Sequence, residues 1–275
     1  MILRDQKYSQ ILISMKLKDK VVIITGGSGG IGSVISKFFI NEGAKVVVFS
    51  RNNTKISGLC VDVSDYKTVR VAVASVLKKF KHIDGVVNCA GIQAPIGPFL
   101  ENDMDLWKKN IEVNLLGTIY LCRATAPIMI KQKNGFIINF SGGGATGSRE
   151  NFSAYAVAKT GVLRFTEILA NELKRYHIRV NAIAPGAVNT KMLEEVLNVG
   201  KGVGKVEFES ARKRAREGGT SPELAAELAV FLASRDSGDL SGCLISAVWD
   251  DWKSWKKDDI KKIITGDSLK LRRMK

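Results

Sequence analysis

Short runs of apolar residues alternate along the chain with longer segments in which apolar residues recur at helical spacing. The runs are rich in β-branched residues, which is typical of buried parallel strands. They are Val21–Ile24, Val46–Phe49, Val86–Asn88, Phe136–Phe140 and Val180–Ile183. From Ile31 to Phe39 apolar residues fall at i, i+3, i+4, i+7 and i+8, which predicts one buried face of a helix. The alternation predicts repeated β-α-β units, and therefore an α/β fold with a parallel sheet covered by helices on both faces.

Three segments depart from this alternation. Residues 1–16 have little pattern, residues 191–219 are rich in glycine and charge, and residues 249–275 extend past the last apolar run. We therefore expect a single domain over 17–248, with 191–219 as a substrate lid, between an N-terminal and a C-terminal extension. Within the first extension, we expect the residues before Met15 to be dispensable.

The C-terminal extension carries three large aromatic residues at three-residue intervals. They are Trp249, Trp252 and Trp255. Because so much aromatic surface is costly to leave in water, we expect this extension to pack on its own subunit or on a neighbouring one.

The chain of 275 residues has a formal net charge of +15, from 42 Lys and Arg against 27 Asp and Glu. The basic residues are spread along the chain and interleaved with acids, which favours a solvated surface over a nucleic-acid site. The apolar runs are too short for a membrane span or a signal peptide. The four cysteines are scattered singly, which predicts reduced thiols and no metal site. We expect a cytoplasmic protein without a nucleic-acid, membrane or metal partner.

A glycine-rich segment lies between the first predicted strand and the first predicted helix. Glycines at such a place let backbone N–H groups approach a pyrophosphate, and the helix N-terminus favours its charge. The segment predicts a cofactor site, although a tight structural turn would also explain it. The residues assigned to this site are Gly26, Ser28, Gly29, Gly30, Ile31 and Gly32.

Tyr155 and Lys159 lie one turn apart at the start of an apolar helical pattern, so that the phenol and the ammonium face the same way. A cation at that place stabilises tyrosinate and lowers a pKa that is about 10 in water. The pair therefore suits general acid/base chemistry. In isolation the pair is also compatible with coincidence.

Taken in order, the motifs resemble those of the short-chain dehydrogenase/reductase family over roughly residues 17–248. The matching motifs are T-G-x-x-x-G-x-G at Thr25 to Gly32, Asp62-Val63, the N-x-A-G turn of Asn88, Ala90 and Gly91, Asn114, Y-x-x-x-K at Tyr155 and Lys159, and the segment with Pro185, Gly186, Val188 and Thr190.

The resemblance implies a doubly wound Rossmann sheet of about seven parallel strands and a homodimer or homotetramer. It implies an NAD(P)-dependent enzyme that transfers hydride between the cofactor and a ketone or secondary alcohol. Tyr155 would act as general acid/base, Lys159 would lower its pKa and bind the nicotinamide ribose, and Asn114 would hold a water. Asp62-Val63 would contact adenine, and the Pro185-Gly186 segment would hold the nicotinamide. Asn88, Ala90 and Gly91 would also line the cofactor site.

The sequence departs from the family pattern at the catalytic serine. The position thirteen residues before Tyr155 is Gly142, and the nearest serine is Ser141. We expect Ser141 to take the role, because the glycine run makes a local shift sterically easy. The alternative is a cofactor-binding homologue with weak or lost catalysis.

Two further segments depart from the family pattern. The short chain between Arg51 and Asp62 predicts a reduced helix, and the segment Leu244–Trp249 differs from the strand and glycine pair that end many relatives.

Cofactor and substrate preference rest on charge. The second strand ends at Ser50 and Arg51, where an acidic residue would mark NAD, so we expect NADP(H) to be favoured, with NAD(H) as the alternative. The basic residues of the lid either form an exposed charged helix or draw an anionic carbonyl substrate toward the cleft.

Overall fold

A parallel sheet runs through the centre of the computed structural model, which describes residues 15–51 and 57–272. Its strands are β1 (Val21–Thr25), β2 (Lys45–Ser50), β3 (Gly58–Cys60), β4 (Gly85–Asn88), β5 (Gly135–Phe140), β6 (Ile178–Ala184) and β7 (Leu244–Ser246). Their order is β3-β2-β1-β4-β5-β6-β7, and all neighbouring pairs are parallel. The strand order reverses between β1 and β4, where doubly wound sheets bind ligands. The predicted single-domain Rossmann fold is confirmed.

Helices cover both faces of the sheet. They are α1 (Gly30–Asn41), α2 (Tyr66–Phe80), α3 (Met104–Ile111), α4 (Gly117–Gln132), α5 (Ser153–Leu173), α6 (Lys191–Val199), α7 (Lys205–Glu217), α8 (Pro222–Ala233) and α9 (Lys257–Thr265). Successive side chains of β1 point to opposite faces. Val22 and Ile24 join the core beneath α1 and α8, whereas Val21 and Ile23 join the core beneath α2, α4 and α5. Burial on both faces explains why this strand is apolar throughout.

The five apolar runs of the sequence all lie within strands, but β3 and β7 were not predicted. Each has three residues, and all three of β3 are exposed at the sheet edge, so neither leaves a recognisable hydrophobic run. β7 forms within the segment where the sequence departs from the family ending. The described part of the shortened stretch before Asp62 contains β3, while residues 52–56 lie outside the described residues.

Helices α3 and α4 are joined by a π-helical turn, Glu112–Leu116, into a run from Met104 to Gln132. This run is long and apolar enough to cross a membrane by length and composition, which the sequence analysis did not anticipate. Half of its most apolar window is buried, and α4 packs against α2 and the sheet. A single helix of this kind is weak evidence for a membrane span, because core helices of soluble proteins have similar length and composition.

The C-terminal extension packs on its own chain. Trp252 is buried and its ring centroid lies 5.7 Å from that of Phe231 in α8, with Trp255 at 6.4 Å from the same ring. Ile260 of α9 joins the core beneath α8. Trp249, by contrast, is 86% exposed. The expectation that the residues before Met15 are dispensable concerns a segment outside the described residues.

Candidate active site

The turn from β1 into α1 leaves no room for a side chain at Gly26 or at Gly32, which lies in the first turn of α1. Gly26 has a φ of +69°, and a Cβ atom there would lie 2.9 Å from backbone atoms of Ala90. A Cβ atom on Gly32 would lie 2.5 Å from the carbonyl oxygen of Gly26. These two glycines therefore let the loop pack tightly against the first turn of α1 and the segment after β4.

The amino terminus of α1 is open. Its N-cap residue Gly29 makes no side-chain cap, and a Cβ atom there would meet nothing within 4 Å. Ser28 and Gly30 are exposed and Ile31 is half-buried. The N–H groups of the first turn, together with the helix dipole, therefore favour a phosphate group at this place.

Thr25 and Asn88 position the segment that follows β4. The Thr25 hydroxyl accepts hydrogen bonds from the backbone N–H groups of Cys89 and Ala90, both at 3.1 Å. The Asn88 amide donates to Oδ1 of Asn139 at 2.9 Å and is only 3% exposed. Asn88, predicted as a cofactor contact, therefore links the ends of β4 and β5, and Ala90 rather than Asn88 borders the glycine-rich loop.

The residues predicted to bind the adenosine end lie at the carboxyl ends of β2 and β3. Ser50 ends β2 and is buried, while Arg51 beside it is exposed. Asp62 follows β3, and Val63 is buried against Gly117, where a Cβ atom would lie 2.9 Å from Cγ2 of Val63. Parallel strands bring their carboxyl ends to one edge, so all four residues share this edge of the sheet.

Asp62 is held as a carboxylate. Its Oδ1 accepts hydrogen bonds from the backbone N–H and the hydroxyl of Ser64, at 2.9 and 2.6 Å. Partial burial acts to raise the pKa of Asp62, but the Ser64 hydrogen bonds and the charges of Lys109 and Arg51 outweigh burial and lower it below its usual value. Asp62 is therefore an anion that faces the positive charge of Arg51.

Asn114 and Lys159 meet beside Gly91, and Tyr155 lies next to Lys159. A Cβ atom on Gly91 would lie 2.6 Å from Oδ1 of Asn114 and 3.7 Å from Nζ of Lys159. The Lys159 ammonium lies 5.7 Å from the ring centroid of Tyr155 and donates to the carbonyl oxygen of Phe140 at 3.0 Å. The structure therefore brings together the three catalytic residues assigned from the motifs, next to the segment after β4.

Asn114 occupies the π-helical turn between α3 and α4. Its amide nitrogen donates to the carbonyl oxygen of Ile92 at 2.8 Å and to Oδ1 of Asn110 at 2.6 Å. Its Oδ1 accepts from the backbone N–H of Ile92 at 3.3 Å. Single π-helical turns are frequent at functional sites, and this one fixes a fully buried amide beside Lys159.

Burial controls the protonation of the pair. It raises the pKa of Tyr155 to about 12, and the charge that opposes this rise is that of Arg149. Burial also lowers the pKa of Lys159 to about 8. Desolvation of the phenolate dominates the pKa of Tyr155 in this arrangement, in which the Lys159 ammonium donates to the Phe140 carbonyl oxygen. The role of Lys159 in lowering the pKa of Tyr155 stays a prediction.

The Tyr155 hydroxyl faces Gly142. A Cβ atom on Gly142 would lie 2.3 Å from the Tyr155 oxygen, so the position at the family's serine spacing lies directly against the phenol. Ser141 is buried, and its backbone N–H donates to the carbonyl oxygen of Ile183 at 2.9 Å. In the described structure the Ser141 hydroxyl makes no hydrogen bond to Tyr155.

The segment after β6 closes over the glycine-rich loop. Gly186, which follows Pro185, has a φ of +81°, and a Cβ atom there would lie 2.7 Å from Val248. Val188 forms a bridge with Thr220. The Thr190 hydroxyl caps α6 by accepting from the backbone N–H of Met192, and its methyl group lies 3.4 Å from a Cβ position on Gly30. Thr190 therefore approaches the open amino terminus of α1.

The predicted lid forms α6, a 3-10 turn (Gly200–Val203) and α7. Its apolar side chains Leu193, Val196, Val203 and Ala211 pack in one cluster with Tyr155 and Phe152. Its cations are partly neutralised, since Arg212 pairs with Glu209 at 3.7 Å and Lys213 with Glu217 at 3.8 Å. This segment therefore packs against Tyr155 mainly through apolar contacts.

Arg149, on the loop between β5 and α5, is a site residue that was not predicted from the sequence. Its Nη2 donates to Oε1 of Glu207 in α7 at 2.6 Å, and its guanidinium carbon lies 3.6 Å above the ring centroid of Phe152. No spacing along the chain relates Arg149 to Glu207. The sequence offers no signal beyond the position of Arg149 in the loop before Tyr155.

A doubly wound parallel sheet with a buried tyrosine and lysine one helical turn apart is typical of a class of oxidoreductases, and comparison with known proteins gives the family. The family model described as "short chain dehydrogenase" matches residues 20–199. The chain is 34% identical over 248 residues to a 3-oxoacyl-(acyl-carrier-protein) reductase of Thermotoga maritima, covering 84% of this chain and 97% of that protein. It is 31% identical over 255 residues to levodione reductase of Leifsonia aquatica, covering 84% and 93%.

Among solved structures, the ligand-free aldohexose dehydrogenase of Thermoplasma acidophilum superposes with a TM-score of 0.75 at 29% identity, covering 84% of this chain and 92% of that one. The chain belongs to the short-chain dehydrogenase/reductase family of oxidoreductases. Nicotinamide-dependent hydride transfer is general to this family.

Proposed function

We propose that this protein is an NADP(H)-dependent oxidoreductase that interconverts a ketone and a secondary alcohol, with Tyr155 as the general acid/base. The observation that carries the proposal is that Tyr155 lies beside Lys159, whose ammonium meets Asn114 next to Gly91, in the segment after β4. All three polar side chains are buried, although apolar residues are favoured in a protein core. Buried ionisable groups of this kind cluster at functional sites.

The residues at the switch point suit a dinucleotide. The glycine-rich loop and the open first turn of α1 present N–H groups to a pyrophosphate, and Thr190 approaches from the opposite side. Arg51 and Asp62 would hold the adenosine end, and the Pro185-Gly186 segment would hold the nicotinamide. When bound, the dinucleotide supplies the hydride for reduction or accepts it for oxidation.

Tyr155 moves the proton. During reduction its hydroxyl donates a proton to the carbonyl oxygen, and during oxidation the phenolate removes the proton of the alcohol. The buried Lys159 ammonium would bind the nicotinamide ribose, and its positive charge beside Tyr155 would stabilise the phenolate. Asn114 would hold a water through which Lys159 exchanges protons with solvent. The lid cluster around Tyr155 would exclude other water from the reacting atoms.

The preference for NADP(H) is supported by Arg51. Its exposed guanidinium follows β2 directly and can pair with a 2′-phosphate, while no acidic residue ends this strand. Asp62 lies close enough to act on Arg51 electrostatically, and this opposes the preference in part. NAD(H) is the alternative cofactor.

We include in the proposal a cytoplasmic homodimer or homotetramer. Self-association is supported by the oligomers that members of this family often form. Light scattering would test the assembly.

The second candidate function is cofactor binding with weak or lost catalysis. It is favoured by Gly142, because its backbone lies against the Tyr155 hydroxyl where relatives present a serine. The experiment that separates the two candidates follows oxidation of NADPH and NADH with a panel of ketones, sugars and acyl thioesters, alongside calorimetric binding of both cofactors. Turnover of a ketone supports the enzyme, whereas tight cofactor binding with no turnover supports the second candidate.

A further inference from the structure

Arg149 is held at the wall of the cleft by three different segments. Its Nε and Nη2 face the two carboxylate oxygens of Glu207 in α7, at 3.5 and 2.6 Å. In the amide orientation that satisfies both of its ends, Gln93 accepts from Nη1 at 2.9 Å and donates to the carbonyl oxygen of Met192 at 3.0 Å. The Phe152 ring lies beneath the guanidinium. Arg149 is therefore fixed by the segment after β4, the start of α5 and the lid.

The guanidinium lies beside the reacting group. A Cβ atom on Gly143 would lie 3.4 Å from Nη1 of Arg149, while a Cβ atom on the adjacent Gly142 would lie 2.3 Å from the Tyr155 oxygen. Two consecutive glycines thus separate the cation from the phenol. The charge of Arg149 acts on Tyr155, which agrees with this proximity.

The site has an excess of positive charge. Glu207 pairs with Arg149 at 2.6 Å and with Arg214 at 3.6 Å. Among the described residues, Glu207 is the one carboxylate within 4.0 Å of either guanidinium. The side chains are largely buried, with 18% of Arg149, 23% of Arg214 and 25% of Glu207 exposed. Two enclosed cations therefore share one anion, which favours a second carboxylate.

We propose that Arg149 binds a carboxylate of the substrate, so that the preferred substrates are oxo acids whose ketone reaches Tyr155, and that Glu207 occupies Arg149 until such a substrate binds. The planar fork of a guanidinium suits a carboxylate in the two-point geometry that Glu207 now shows. Because Glu207 belongs to the lid, its exchange for a substrate carboxylate also links binding to movement of α7. This inference rests on the proposed function for the identity of the reacting group.

The test measures binding rather than turnover. Pyruvate, acetoacetate and levulinate, each against its methyl ester, are titrated calorimetrically into protein saturated with oxidised cofactor. For at least one acid, wild type is expected to bind the acid at least about tenfold more tightly than its ester, the scale of a charge-assisted hydrogen bond. Arg149→Gln should abolish this preference, and Arg149→Lys should keep part of it. Arg212→Gln, which alters a lid arginine paired on an exposed face, should leave it unchanged.

Glu207→Gln separates substrate binding from a structural role. Removing the competing carboxylate should tighten binding of the acid several-fold without changing binding of the ester. The inference is overturned if wild type prefers no acid over its ester. It is also overturned if Arg149→Gln and Glu207→Gln weaken the acid and the ester equally, as loss of a structural ion pair would. Failure of the proposed function is a separate result, namely no turnover of any ketone by wild type with either cofactor.

Discussion

The Tyr155 hydroxyl and Gly142 lie so close that a Cβ atom on Gly142 would be 2.3 Å from the phenolic oxygen. A side chain at position 142 would therefore collide with the phenol of Tyr155 in its present position. The same contact gives the first prediction.

Gly142→Ala should displace the Tyr155 phenol, because the added methyl group has no other room. Overpacking of this kind costs about 1–3 kcal/mol, and we expect kcat/KM to fall at least about tenfold with cofactor affinity unchanged. Steady-state kinetics and calorimetry measure the two effects. Gly147→Ala is the matched control, since a Cβ atom there meets nothing within 4 Å. If Gly142→Ala and Gly147→Ala had the same kcat/KM, the contact between Gly142 and the phenol would not position Tyr155 for catalysis.

Ser141→Ala tests whether the neighbouring hydroxyl replaces the missing serine. If Ser141 polarises the carbonyl, its loss should lower kcat by about 10²–10³, as for an oxyanion-hole donor. Ser148→Ala, at an exposed serine of the same loop, should leave kcat unchanged. An unaltered kcat in Ser141→Ala would assign polarisation of the carbonyl to another group.

Arg51→Ala tests cofactor preference. The variant should lose at least about tenfold in affinity for NADPH, because a charge-assisted pair with the 2′-phosphate is removed, and should bind NADH as wild type does. Fluorescence titration of both cofactors measures the change. Similar affinities for the two cofactors in wild type and variant would contradict the prediction.

The buried Lys159 predicts a particular dependence of stability on pH. Burial lowers the pKa of Lys159 to about 8 from its usual 10.5, so the unfolded chain binds more protons than the folded one between these pH values. The free energy of unfolding should therefore rise as the pH increases from about 8 to 10.5. The rise should be of order 3 kcal/mol. It is measured by denaturant unfolding without cofactor, as the difference in the free energy of unfolding between wild type and Lys159→Met at each pH. A difference that is independent of pH would show that the ammonium is not desolvated.

Much of the sheet and the centre of the site could be predicted from sequence because their signals are local. The Gly26 to Gly32 loop lies between an apolar run and a helical pattern, and Tyr155 and Lys159 lie one turn apart. Arg149 and Glu207 could not be predicted, because tertiary packing brings them together across 58 positions without a repeating pattern. Hydropathy alone also could not predict that Trp252 would be buried while Trp249 stays exposed.

The measurement that tests the central claim most directly is turnover and cofactor binding in Tyr155→Phe, with Tyr176→Phe as the control at a tyrosine outside the site. We predict that Tyr155→Phe lowers kcat by at least about 10² while the cofactor dissociation constant stays within about twofold of wild type, because the phenol acts on the substrate. Tyr176→Phe should retain both values. Turnover in Tyr155→Phe comparable to that of wild type would contradict the assignment of Tyr155 as the general acid/base.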